Sequence, residues 1–431
     1  MTSPEHKAGI SRRTFAAGLA AAPVALALAG RAPVVRAADK VTINLNIYQI
    51  NEGWHATLKK VLDGFNQANP NIEVKQNIQP SEGYYDKLQV QYAAGKAPDI
   101  TINDMEQVVP LGSRGMLVDL KSYYDKDPAL LKDLWYPMEQ DWGYKGGIYG
   151  SLLYAGGQML YVNKSLLKAA GLEMPAANWT WDDFHAMAVK LTDTSKKQYG
   201  VHFGLIDPPY WSCAFIHGAG GTVLNDTNDK CTLNTPEARA GLQFIVDLIH
   251  KDKVMPIPST QTGQVNPFMA GKVGLYFGGS WDESAIRTSG FDWDWADMPV
   301  KAKTGIKKVQ MGSNAWSMLS TTEHKDEAWE VLKYLGGPEG AKGMMTLGIP
   351  GFKSIIDSPE YKAIHAPQNI EVPLGDFQKN NHNYYSTEDA AKWWDACSQN
   401  LQPMWTGEDS VESSTQKAAD AVNAIFAQRK S

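Results

Sequence analysis

Nucleophilic, metal-binding and acid–base side chains are scattered along the 431 residues without the spacing of catalytic motifs. The chain contains no CxxC, HExxH, GxSxG, GxxxxGK[ST] or GxGxxG. None of its nine histidines has another three or four residues away, as a helical metal pair would require. We therefore expect no catalytic residue, no metal site and no cofactor. A glycosidase with a pair of catalytic carboxylates is not excluded, because the fold rather than the sequence spacing brings its two acids together.

Aromatic side chains are the second chemical feature, with 14 Trp and 18 Tyr. Many belong in the core, but their number also suits a ligand with a flat apolar face. The cysteines, Cys213, Cys231 and Cys397, are odd in number and cannot all pair with one another. A Cys213–Cys231 disulfide is permitted in an oxidising compartment, and buried free thiols are the alternative.

Strands and helices must position any site, and the hydrophobic pattern predicts that they alternate. Val41, Ile43, Leu45 and Ile47 alternate with polar residues, which predicts an opening strand. The pattern then predicts a helix over 54–65, a strand over 72–78, a helix over 85–92 and a strand over 99–102. Later helices begin at Thr180 and Thr235, and the last two lie around 390–401 and 411–426. This alternation predicts an α/β fold with a parallel sheet and crossover helices.

The N-terminus has the pattern of an export signal. Arg12-Arg13 precedes an apolar run over 16–30 that is broken by Pro23. The run is shorter than the ~20 residues of a membrane-spanning helix, and small residues before Ala37 suit cleavage after that position. We predict that residues 1–37 are a twin-arginine signal peptide. Residue 38 is Ala and not Cys, so we expect a soluble periplasmic protein without a lipid anchor.

Length and charge limit the remaining possibilities. Removing residues 1–37 from 431 leaves 394 residues, enough for two domains. The removed segment carries five of the 41 Lys and Arg and one of the 47 Asp and Glu, so the remainder has a net charge of about −10. A nucleic-acid partner is therefore not expected, nor is binding to an anionic membrane surface.

A series of short motifs resembles one family in composition and order. The motifs include Glu52-Gly53-Trp54, Ala93-Ala94-Gly95-Lys96-Ala97-Pro98-Asp99-Ile100, Asn178-Trp179-Thr180-Trp181-Asp182-Asp183-Phe184, Asn234-Thr235-Pro236-Glu237-Ala238 and Gly278-Gly279-Ser280-Trp281. In this order they resemble the bacterial extracellular solute-binding proteins of the maltose-binding type, which serve ABC importers. The resemblance covers nearly all of the chain after the signal.

The resemblance implies a two-lobed periplasmic binding protein fold with crossing hinge strands and a ligand cleft between the lobes. One lobe would hold residues 40–152 plus 318–365, and the other residues 153–317 plus 366–431. The implied function is the capture of a sugar or polyol by hinge closure and its delivery to ABC permease subunits. We expect a monomer and not an enzyme. The alternatives are the same fold binding a glycerol-phosphate-like or other small solute, and a secreted carbohydrate-active enzyme.

Ligand-binding positions are implied by the same resemblance. Carried over motif by motif, they are Glu52, Asn103, Asp104, Tyr154, Tyr210, Trp211, Trp281, Asn314 and one of Trp393 and Trp394, for which we name Trp394. Acidic, amide and aromatic side chains suit the hydroxyl rim and C–H face of a neutral sugar.

Several of these assignments have a structural alternative. Glu52 and Asp104 could cap the helices that follow them. Trp281 could lie in the core, although the Gly278-Gly279-Ser280 turn favours a projecting ring. Trp393 and Trp394 cannot share one helical face, so one of the two belongs to the core.

Overall fold

The computed structural model describes residues 40–137, 141–204, 206, 212–258, 266–383 and 385–430. The predicted signal and the predicted site residues Tyr210 and Trp211 lie outside these ranges. The strands are β1 Val41–Tyr48, β2 Ile72–Gln79, β3 Ile100–Asn103, β4 Gly143–Tyr144, β5 Gly147–Ile148, β6 Ser151–Asn163, β7 Tyr199–Phe203, β8 Val273–Gly279, β9 Trp293–Ala296, β10 Val309–Met318 and β11 Asn381–Asn383.

Nine strands of the described chain form one sheet, and β4 and β5 form a separate hairpin. The sheet has the order β2-β1-β3-β10-β6-β8-β7, with β11 beside β10 and β9 beside β6. The part built on β1, β2 and β3 is called the first lobe, and the part built on β7, β8 and β9 the second lobe. The expected two-lobed α/β fold with crossing strands is confirmed, because β6 and β10 belong to both parts.

The prediction of a parallel sheet holds for part of the sheet, namely for outer strands of each lobe and for the short β11, which pairs in parallel with β10. β1 pairs in parallel with β2 and β3, and β7 pairs in parallel with β8. The central strands β6 and β10 instead run antiparallel to each other and to the lobe strands beside them. The reason is that the chain crosses between the lobes along β6 and returns along β10. The register of this central pair shifts between Asn314 and Ala315, which marks a local irregularity in the hinge.

Helices follow the strands as the hydrophobic periodicity predicts. The capping box of Thr180 with Asp183 starts one helix, and Thr235 caps another at Pro236. The helices are α1 Glu52–Ala68, α2 Tyr84–Ala93, α3 Met105–Ser113, α4 Lys121–Lys126, α5 Lys164–Ala169, α6 Trp181–Leu191, α7 Cys213–Gly218, α8 Pro236–His250, α9 Glu283–Ile286, α10 Lys325–Leu335, α11 Pro338–Gly343, α12 Lys353–Ile356, α13 Pro359–His365, α14 Glu371–Asn380, α15 Ala390–Thr406 and α16 Val411–Ala427.

The C-terminal helices cover the second lobe and also reach the first. α15 packs against α16, α16 packs against α8, and α15 also contacts α3 at the end of the first lobe's sheet. Cys213, Cys231 and Cys397 are all buried free thiols, so the permitted Cys213–Cys231 disulfide is not formed. No helix of the described residues is both long and apolar enough to span a bilayer.

Candidate functional site

The floor of the cleft is made by two residue pairs across the crossing strands. Tyr154 of β6 lies opposite Asn314 of β10, and Gly156 lies opposite Gly312. Directly opposed residues of antiparallel strands share a face, and so do residues two apart, so all four face the same side. The opposite side is packed, since Ser313 donates a hydrogen bond of 2.6 Å to buried Asp141. Two predicted site residues therefore meet on one surface.

Asp104 connects the first lobe to this floor. Its Oδ1 accepts hydrogen bonds from the Tyr48 hydroxyl at 2.6 Å and from the Asn314 amide at 2.9 Å. Its Oδ2 accepts one from the Tyr85 hydroxyl at 3.0 Å. Tyr48 ends β1, Tyr85 lies on α2 and Asp104 directly follows β3. The carboxyl ends of these parallel strands thus place the group where an open α/β sheet leaves room for a ligand.

The capping alternative does not describe Asp104 or Glu52. Asp104 stands at the N-cap position of α3, but its side chain makes no capping bond to that helix. The cap of α1 is Asn51, whose Oδ1 accepts from the backbone N–H of Trp54 at 2.9 Å. Glu52 is the exposed first residue of α1, where the helix dipole favours a negative charge. Among the described residues, no hydrogen bond or ion pair joins Glu52 to Asp104 or to its partners.

Trp281 reaches the floor from the second lobe. It lies in a single 3-10 turn, Ser280–Asp282, directly after β8. Asp282 Oδ2 holds this turn by accepting from the Gly279 N–H and the Tyr276 hydroxyl, both at 2.9 Å.

The indole ring of Trp281 folds back over two glycines. A Cβ added at Gly279 would lie 2.3 Å from the ring, and one at Gly156 would lie 3.4 Å from it. The Trp281 side chain is nevertheless 43% exposed. Glycine therefore lets the ring lie close to the backbone beside the floor while much of its surface stays open.

Of the two C-terminal tryptophans, Trp393 is the core residue. It is fully buried, and its Nε1 donates to Thr387 Oγ1 at 2.8 Å. Trp394 is only partly buried. Both lie on α15, which packs against α3, the helix that begins directly after Asp104. The structure therefore leaves Trp394 as the candidate.

Asn103 does not reach the surface of the cleft in this structure. It is fully buried at the end of β3, opposite Ala315 of β10. Among the described residues, neither its Oδ1 nor its Nδ2 has a hydrogen-bond partner. Asn103 thus differs from its neighbour Asp104, whose carboxylate has three side-chain donors.

The two carboxyl groups near the floor, those of Asp104 and Glu106, both have raised pKa values. Burial raises the pKa of Asp104, and the donors Tyr48, Tyr85 and Asn314 offset part of this rise. Burial, with the nearby negative charge of Asp104, raises the pKa of Glu106 on α3 to about 8. At pH 7 the shift of Glu106 favours its neutral acid, so the first-lobe side of the cleft carries less negative charge than its sequence indicates.

Sequence reasoning missed three residues of this arrangement. Tyr48 and Tyr85 were assigned no role in binding, and Met105 has its sulfur directly above Gly312, where an added Cβ would lie 1.8 Å from it. Only Tyr48 had a usable signal, because it ends a strand at the same sheet edge as Asp104. The other two depend on tertiary packing.

The arrangement can bind a small polar molecule. It combines one partly exposed indole, a carboxylate, phenols and an amide on two lobes joined by crossing strands. No group of three or more metal-binding side chains occurs within the described ranges. The chemistry is that of recognition by stacking and hydrogen bonding.

Solved structures share the whole fold. An ABC substrate-binding protein from Listeria monocytogenes, in complex with cycloalternan, superposes with a TM-score of 0.82 at 24% identity, over 90% of this chain and all of that chain. A solute-binding protein from Thermotoga lettingae bound with α-D-tagatose gives a TM-score of 0.78 at 23% identity, over 90% and 100% of the two chains.

Sequence comparisons agree with the fold. The multiple sugar-binding protein of Streptococcus mutans serotype c is 26% identical over 327 residues, which cover 69% of this chain and 71% of that protein. These relatives are binding proteins of transporters and not enzymes. The family model for bacterial extracellular solute-binding proteins matches residues 51–342. On this evidence the chain belongs to the bacterial extracellular solute-binding protein family.

Proposed function

We propose that this protein captures a sugar or polyol in the cleft between its lobes and delivers it to the permease of an ABC importer. The observation that carries the proposal is the convergence of Trp281, Asp104, Tyr154 and Asn314 from both lobes and both crossing strands. An exposed indole suits the C–H face of a sugar ring, and carboxylate, phenol and amide groups suit its hydroxyls. Its relatives bind cycloalternan and tagatose, which supports a carbohydrate ligand.

Closure about β6 and β10 would bring the two parts of the site together. We propose lobes of residues 40–152 plus 318–365 and residues 153–317 plus 366–431, with the hinge near the Tyr154–Asn314 pair. The register shift beside Asn314 supports a bend at this point. Because Asn314 already binds Asp104 at 2.9 Å, hinge and first lobe would move as one unit against Trp281.

A neutral ligand fits the described groups better than an anion. The side chains bonded to Asp104 are two phenols and an amide. A phosphate ester would need Arg or Lys donors, and it would lie beside the carboxyls of Asp104 and Glu106. Sugar hydroxyls can instead donate to these oxygens.

A thermal-melt screen tests the proposal. A ligand that binds only the folded protein adds about 2.7 kcal/mol at a hundredfold excess over its Kd. We expect one clear upward shift among mono- and oligosaccharides and polyols, including maltotriose and tagatose. The sugar recovered afterwards should be chemically intact, which distinguishes a binder from a carbohydrate-active enzyme. Shifts only with a glycerol-phosphate ester would contradict the sugar assignment.

We also propose that the protein is exported to the periplasm by the twin-arginine pathway, has no lipid anchor and is a monomer. Arg12-Arg13 before the apolar run supports the export route, and Ala38 after the cleavage position supports the absence of an anchor. Replacing Arg12 and Arg13 with Lys should retain the protein in the cytoplasm, as cell fractionation would show. Normal export of this double variant would contradict the twin-arginine assignment.

A further inference from the structure

A largely buried cluster of ionisable side chains follows the turn that carries Trp281. Glu283, two residues after Trp281, begins α9, and its Oε1 lies 2.7 Å from His365 Nδ1 and 2.8 Å from Arg287 Nε. A carboxylate can only accept hydrogen bonds, so both nitrogens donate. The side chains of Glu283 and His365 are 12% and 7% exposed. Glu283, Arg287 and His365 are called the α9 cluster, which has no role assigned so far.

The α9 cluster binds the chain segment at the end of α13 to the second lobe. Arg287 Nη2 donates to the backbone carbonyl of His365 at 2.8 Å, and its Nη1 donates to Gln368 Oε1 at 3.2 Å. Gln368 Nε2 in turn donates to the backbone carbonyl of Trp293 in β9 at 3.4 Å. Residues 365–368 are therefore fixed beside α9 and β9.

The chain just before α13 is bound to the first lobe. Phe352, directly before α12, packs with Ala341 of α11 in one buried apolar cluster, and α11 contacts α1. The backbone N–H of Lys353 donates to the Asp133 carbonyl at 2.8 Å. The chain over α12 and α13 therefore runs from the first lobe to the second lobe. It forms a third connection besides β6 and β10, and it ends at the α9 cluster.

Two neighbouring carboxylates hold the Trp281 turn, each with different partners. Asp282 accepts from two groups of β8, so it fixes the turn to the sheet of its own lobe. Glu283 accepts from His365, so it fixes the same turn to the third connection. Because Trp281 and Glu283 belong to one short helical stretch, a displacement of Glu283 would also displace the Trp281 ring relative to the floor.

We propose that Glu283 and His365 are positioning residues, whose hydrogen bond sets where the Trp281 ring meets the sugar. Among the described residues this is the only hydrogen bond of the imidazole ring, because its Nε2 is buried without a partner. An apolar side chain at position 365 would therefore remove this link between the third connection and α9. The inference rests on the proposed function and adds two residues that do not themselves touch the ligand.

A double-mutant cycle with Trp281→Ala tests the inference. His365→Leu removes the donor to Glu283, and His365→Asn restores one, because the Asn amide nitrogen can take a place close to that of Nδ1. His250→Leu is the matched control, since His250 is a partly buried histidine of α8 that binds the Trp405 carbonyl at 3.1 Å. Each variant is made with Trp281 and with Trp281→Ala. The sugar with the largest shift in the melt screen is titrated by calorimetry.

With Trp281 present, we expect His365→Leu to weaken sugar binding about fivefold to tenfold, and His365→Asn and His250→Leu to bind like the wild type. Combined with Trp281→Ala, His365→Leu should cause no further loss of affinity, because its effect acts through the missing ring. If His365→Leu does not fold, Arg287→Met perturbs the same cluster at a side chain that is 29% exposed, and it should show the same dependence on Trp281.

A loss of affinity of the same size with and without Trp281 would overturn the inference, as would wild-type affinity in His365→Leu. If Trp281→Ala itself binds sugar normally, the positioning role is wrong and the proposed function stands. If no sugar binds the wild-type protein, the proposed function fails and the positioning role fails with it.

Discussion

Replacing Asp104 with Asn should reduce sugar binding with little effect on folding. The carboxylate accepts three side-chain hydrogen bonds, at 2.6, 2.9 and 3.0 Å. An amide retains one oxygen, which can keep Tyr48 and Asn314, and presents N–H groups to Tyr85. Tyr85 already accepts from the backbone N–H of residue 104 at 2.8 Å and has a second lone pair. Its proton would then turn away from residue 104.

The stability terms of this variant oppose each other. Losing one hydrogen bond to a charged group costs about 1.5 to 3 kcal/mol. The raised pKa of Asp104 means that burial disfavours its charge, so a neutral amide recovers part of this cost. We expect a net change of about 1 kcal/mol or less at pH 7. Asp104→Ala should be more destabilising by about 2 to 4 kcal/mol, because it leaves an amide and two phenols without their acceptor.

Binding should respond differently from stability. Asp104→Asn replaces Oδ2, the acceptor of the Tyr85 proton, by an N–H group and reorients that proton, so affinity should fall about tenfold or more, equal to ~1.4 kcal/mol. Urea unfolding without ligand and calorimetric titration with the best sugar measure the two effects. Wild-type affinity in Asp104→Asn, together with wild-type stability in Asp104→Ala, would refute the reasoning.

Two further variants give separable outcomes. Trp281→Ala should weaken sugar binding by about 1 to 3 kcal/mol. It should lower the free energy of unfolding by no more than about 2 kcal/mol, because Trp281 is 43% exposed. Normal binding with a much lower Tm would show that Trp281 is a structural residue. The rings of His217 and His382 have centroids 4.1 Å apart. Burial and nearby Lys308 lower the pKa of His217 to about 4, and burial, His217 and Lys308 lower the pKa of His382 to about 3. Because the folded pKa lies below the unfolded value of ~6.5, each histidine contributes to the free energy of unfolding fully above pH ~6.5, and this contribution is lost on acidification. The loss at pH 5 is about 2 kcal/mol for each histidine. Replacing both histidines with Gln should flatten this slope in melts from pH 7 to 5, and an unchanged slope would contradict the shifts.

Local periodicity predicted the elements well because it reports burial directly. β1 shows the predicted alternation of Val41, Ile43, Leu45 and Ile47, and α1 buries the predicted helical face. The direction of the central strands was not predictable in this way. Alternating strands and helices describe β1 to β3, but the antiparallel β6 and β10 follow from crossing between lobes, which has no local signal.

Part of the candidate site was predictable from the sequence. The residues whose role depends on their partners in the folded chain were not. Trp281 and Asp104 were named because the family resemblance places ligand positions on them. Tyr85 was only placed on a predicted helix, because nothing local shows that its hydroxyl reaches Asp104 at 3.0 Å. Helix phase could not separate Trp393 from Trp394. Burial separates them, since Trp393 is fully buried and Trp394 only partly.

A crystal structure with the sugar that gives the largest melting shift tests the central claim most directly. We predict a sugar ring against the open surface of Trp281, with hydroxyls within hydrogen-bond distance of Asp104 and of the Tyr154–Asn314 pair. A sugar bound elsewhere, with no contact to Trp281 or Asp104, would contradict the account.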